Sequence, residues 1–195
     1  MTSILTRNSA RIVGLVAVFA ITAGSLAAGE TVKSTNNGAY MVAQGTDSSG
    51  CVSLWLYVGR SGTKAAPTTW MNYSVYDMCA GQSIGSGDGV VPNTTFKITG
   101  NRNTLTITPS AVAGFNTQGL TGQIKATVTA DGLYSSTYSG HSRWEYAGHV
   151  SQSHGMWTSQ SATVSGNLLG FQFGSAAGSI GENRDRQMQI DRGTK

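Results

Sequence analysis

Gly81-Gln82-Ser83-Ile84-Gly85 spells the Gly-x-Ser-x-Gly pattern with which serine hydrolases lift a hydroxyl toward a histidine base on a strained strand-to-helix turn. Asp131 and His149 follow in the chain order that such a triad uses. The flanking pattern does not match: a strand and Cys79 precede the motif, but a Gly/Ser/Asp stretch follows where the helix should start. With 26 glycines in 195 residues a chance match is expected, and the segment reads as a loop. The histidines are His141, His149 and His154, and three neutral imidazoles with an open fourth position would suit a catalytic zinc ion. On one extended strand His141 and His149 would share a face but stand some 26 Å apart, at about 3.3 Å per residue. They converge only if turns intervene, which Gly140, Gly148 and Gly155 permit. We read them as polar residues at loop ends, with a metal site as the alternative and no cofactor expected. Gly85-Ser86-Gly87-Asp88-Gly89 has the composition of a calcium loop, yet its one carboxylate falls short of the oxygen cage calcium needs. Glu145, between Trp144 and Tyr146, has no evident second carboxylate for glycoside hydrolysis.

The aromatic residues give the stronger indication. Trp55, Tyr57, Trp70, Tyr73, Tyr76, Trp144, Tyr146 and Trp157 are many for a chain in which 11% of residues are charged. Sheets present such rings outward to sugars or to partner proteins. Trp144 and Tyr146, with Tyr134 and Tyr138, are the expected ligand-binding platform.

Positioning these groups falls to a set of short strands. Val52 to Val58 and Thr69 to Met78 are apolar runs joined by a polar loop, Ser61 to Thr68. As an antiparallel hairpin they pair residues whose numbers sum to about 130, which sets Cys51 opposite Cys79 at disulfide reach. The chain-entropy model gives such a bond roughly 3.6 kcal/mol of stabilisation. Gly29 to Gly38 is a polar lead with no predicted structure, and Gly81 to Asn93 is a predicted loop. Phe96 to Thr99 and Thr104 to Thr108 form a hairpin about Gly100-Asn101-Arg102-Asn103, with Phe96 opposite Ile107 and Ile98 opposite Leu105. Asp131-Gly132 predicts a tight turn after Ile124 to Thr129, and Gly166-Asn167 a turn that sets Val164 opposite Leu169. No helical period holds across three turns after residue 28. The fold class is therefore all-β, a single antiparallel sandwich or small barrel-like domain.

Arg7 and Arg11, the apolar run Ile12 to Ala23, and Ser25 and Ala27 before Ala28 have the layout of a cleaved signal peptide, residues 1–27. A polar lead would then span 28–38 and the all-β domain 39–195. The apolar run is too short for a spanning helix, so the product is expected to be bacterial and secreted or periplasmic. Export favours a structural disulfide between Cys51 and Cys79. Removing Arg7 and Arg11 lowers the formal net charge from +4 to about +2. Arg184, Arg186 and Arg192 interleave with Glu182, Asp185 and Asp191, a sign-mixed run that argues against nucleic acid. The expectation is a non-enzymatic binding or surface protein whose partner is a glycan or another protein. The alternatives are a secreted hydrolase, a metal-dependent enzyme, or an inhibitor or adhesin acting on a protein.

Overall fold

The computed structural model describes residues 31–113, 115, 117 and 120–191; the expected signal peptide lies outside them. Among the described residues there are nine strands: β1 Thr31–Asp47, β2 Val52–Gly62, β3 Pro67–Asp77, β4 Gln82–Val91, β5 Phe96–Thr99, β6 Arg102–Ile107, β7 Ile124–Tyr146, β8 His149–Leu168 and β9 Phe171–Asp191. They form one antiparallel sheet in the order β4-β3-β2-β1-β9-β8-β7-β6-β5. The chain is thus a meander whose first and last strands also pair, while β4 and β5 remain its two edges. Among the described residues no helix is long and apolar enough to cross a membrane.

Alternation builds the core. In β2 Val52, Leu54, Leu56 and Val58 are buried, and in β3 so are Met71, Tyr73 and Val75. Met41 and Ala43 of β1, Leu105 and Ile107 of β6, and Ile124, Ala126 and Val128 of β7 join them in one cluster, with Phe96, Leu168 and Ile180. The sheet therefore curls until its two halves share a single apolar interior. Two contacts hold the curl. Asn103 of β6, buried, donates from Nδ2 to the Tyr40 carbonyl of β1 at 3.0 Å. Arg60 of β2 donates to Thr69 Oγ1 at 3.0 Å and to the carbonyls of Asn93 and Phe96, with its guanidinium 5.4 Å from the Phe96 ring.

Several registers differ from expectation, each for a local reason. The β2–β3 pairs sum to 129, Val52 facing Asp77, so Cys51 faces Met78, whose N–H donates to the Cys51 carbonyl at 2.7 Å. Cys79 lies two residues beyond the end of the ladder; its sulfur is 2.01 Å from that of Cys51, with Cα atoms 5.3 Å apart. The polar lead is strand from Thr31 onward, because β9 supplies a long partner. Gly81 to Asn93 is not a loop: Gln82–Val91 is the edge strand β4, its alternation hidden by glycine. Gly87 leaves room there for the Phe115 ring, which stacks on Tyr73 at 6.0 Å. Phe96 faces Leu105 and Ile98 faces Asn103, because the turn closes on the two residues Gly100 and Asn101. The β8–β9 turn is Leu169-Gly170, at φ 54° and 93°, in place of Gly166-Asn167; it leaves Leu168 and Leu169 buried.

Asp131-Gly132 does not reverse the chain either. Residues 131–134 face Ser161 alone, a wide bulge within the continuous strand β7. Asp131 Oδ1 accepts from Ser161 Oγ at 2.6 Å and from the Leu133 N–H at 2.9 Å, while the Tyr134 N–H donates to Ser161 Oγ at 3.0 Å. These donors, the Ser161 hydroxyl foremost, hold the Asp131 carboxyl below its ordinary range.

Candidate functional site

Beyond the core, β7, β8, β9 and the start of β1 run on together as a four-stranded arm. Its two faces follow from pairing, since directly opposed residues share a face. Ala162, Val150 and Ile180 fix the inner face as the one continuous with the core. The other face is the outer one.

On the outer face Tyr138 of β7 lies directly opposite Trp157 of β8, their ring centroids 5.5 Å apart. Both are open to solvent, at 68% and 43% of their surface. The next outward pair toward the hairpin tip is Gly140 and Gly155. A methyl group on Gly155 would collide with the Trp157 ring, and one on Gly140 would touch it at 3.5 Å. The glycines thus give the indole a bed on which to lie against the sheet. Next come Ser142 and Ser153, hydroxyl to hydroxyl at 2.8 Å, and then Trp144 and Tyr146, stacked at 5.9 Å. At about 3.3 Å per residue the two ring pairs stand roughly 20 Å apart along the hairpin. Asp185 and Gln187 of β9, joined by a 3.0 Å hydrogen bond, flank them on the same face.

Of the four predicted platform residues, Tyr138, Trp144 and Tyr146 share this face, and Tyr134 sits apart in the exposed bulge. Trp157 belongs with them and was not among the four. What places it there is the hairpin turn Ala147-Gly148, at φ 47° and 83°: counting outward from it pairs Tyr138 with Trp157 and Gly140 with Gly155.

The histidines separate. His141 and His154 are direct cross-strand partners on the inner face, whereas His149, beyond the turn and opposite Tyr146, belongs to the outer one. A turn does intervene between His141 and His149, at Ala147-Gly148, but it sets the two on opposite faces. Among the described residues no three His, Cys, Asp or Glu side chains gather where they could hold a metal ion. Ser83 lies on edge strand β4, not on a strand-to-helix turn, and β8 with His149 is five strands away in the sheet order. Asp131 is engaged with Ser161 in the bulge.

Comparison with known proteins finds no matching family model, no matching curated protein and no matching solved structure. The reading of this chain therefore rests on its own geometry.

Proposed function

We propose that this is an exported, non-enzymatic binding protein that holds a glycan chain along the outer face of its arm. The observation that carries the reading is the Tyr138–Trp157 pair lying on Gly140 and Gly155. Sugar rings have apolar C–H faces and hydroxyl edges, so they suit a flat aromatic surface with polar groups beside it. Ser142, Ser153, Asp185 and Gln187 place hydroxyl, carboxylate and amide groups between and beside the two ring pairs. Solvent-exposed rings already packed against the sheet lose little freedom on binding, which favours affinity. The disulfide pair, Cys51 and Cys79, supports export to an oxidising compartment.

Titrating neutral oligosaccharides of several linkages while following tryptophan fluorescence tests this. A binding sugar should lose roughly tenfold or more in affinity with Trp157→Ala, at unchanged thermal stability. Gly155→Ala, which must tip the indole off its bed, should weaken binding without removing the ring. A panel in which no sugar is bound, or a Trp157→Ala variant of undiminished affinity, overturns the reading.

A further inference from the structure

The charges of β9, mixed when read along the sequence, sort by face when read along the strand. Glu182, Arg184 and Arg186 point inward while Asp185 points outward, because successive side chains alternate. Cross-strand pairing then sets Arg186 beside His154, and His154 beside His141, in one row across β9, β8 and β7. Lys33 of β1 lies one row nearer the tip and Arg184 one row nearer the core. Among the described residues no salt bridge engages Lys33, Arg184 or Arg186, and all three are exposed. Arg143, the other cation of this face, is paired with Glu145 at 2.9 Å.

Two depressions lie along this face. One, of about 410 Å³, takes Arg184 in its wall together with Lys64 of the β2–β3 loop. The other, of about 260 Å³, is lined by Lys33, Arg186, His141 and His154. Glu182 closes the row of cations toward the core and Glu145 closes it toward the tip.

We propose that the inner face of the arm is a second binding site, for an acidic oligosaccharide whose carboxylate or sulfate groups seat on Arg184, Arg186 and Lys33. Guanidinium groups bind such oxyanions through paired, charge-assisted hydrogen bonds. The acid brackets confine the cations to three rows, about 14 Å along the strands at about 3.4 Å per residue, so the occupant is short. A nucleic-acid strand fits poorly: toward the core its phosphates would run over Glu182, toward the tip the Arg143–Glu145 pair offers no free cation, and the rings on which bases stack are on the other face. A cation at His141 and His154 would face the charge of Arg186 directly opposite His154. This site and the aromatic face lie on opposite sides of one sheet, so either can fail without the other.

The test is calorimetric titration of the full chain, as isolated, with hexagalacturonate for carboxylate, sulfated maltohexaose for sulfate, maltohexaose as neutral control and a thymidine oligonucleotide. At least one acidic glycan should bind, with affinity that falls as salt rises. Arg184→Gln with Arg186→Gln should weaken that binding roughly tenfold or more at an unchanged melting temperature. Arg186→Lys should retain more affinity than Arg186→Gln, and Trp157→Ala should leave acidic-glycan affinity as it was. Absence of binding to both acidic glycans, an unaffected double variant, or tighter binding of the oligonucleotide would each overturn the proposal.

Discussion

Asp131 shows how one side chain can turn a turn signal into a bulge. Its carboxylate gathers the Ser161 hydroxyl and the Leu133 N–H, so the chain loops outward by four residues and resumes the same strand. Because the folded carboxyl titrates below its unfolded value, its stabilising contribution is present above the ordinary carboxylate range and is lost as pH falls through the folded pKa. Asp131→Asn should therefore be less stable than the parent at neutral pH, by a gap that narrows as the pH falls below the ordinary carboxylate range, measured by urea unfolding at neutral and at acid pH. A stability gap independent of pH would mean that the charge is not what holds the bulge. At this scale the sequence was only partly legible. Asp-Gly marks a reversal in most contexts, and what cancels it is a serine 30 residues away, beyond the reach of any local rule.

At the scale of the strands, alternation carried most of the reading. The inward sets of β2, β3, β6 and β7 follow directly from their period of two, and they are the core. What alternation could not fix was where each hairpin turns. Ala147-Gly148 and Leu169-Gly170 close theirs with a non-glycine residue at positive φ, a choice the residue types do not advertise. Leu169 accepts that conformation and is buried by it, whereas Ala147 is exposed and gains nothing visible. Ala147→Gly should thus raise stability by about 1 kcal/mol, read as a higher denaturant midpoint with unchanged slope. The same uncertainty about turns hid the aromatic site. Tyr138 and Trp157 become neighbours, and Arg186, His154 and His141 become a row, only when the ladder is correctly registered.

For the whole molecule, all-β, antiparallel and a single sandwich or barrel-like domain were legible from the short alternating runs and the absence of any helical period; which of the two forms the sheet takes was not. The pairing of β1 with β9 has no short-range sequence signal, and the segment before Ala39 looks like a tail until its partner is in view. The Cys51–Cys79 link acts globally as well, since it shortens the unfolded chain by a loop with a sequence separation of 28. Its reduction should cost about 3.6 kcal/mol, measured as the difference in unfolding free energy with and without reductant. No difference would mean that the ladder alone fixes those ends.

The pairing of β1 with β9 also sets a timetable. The middle of the sheet is made by the first strand and the last, so as the chain emerges from the ribosome β1 has β2 on one side and nothing on the other until the very end of the domain appears. Bringing together such remote segments is slow. The last strand to be delivered, β9, is then the one that joins β1–β4 to β5–β8 and completes both faces of the arm.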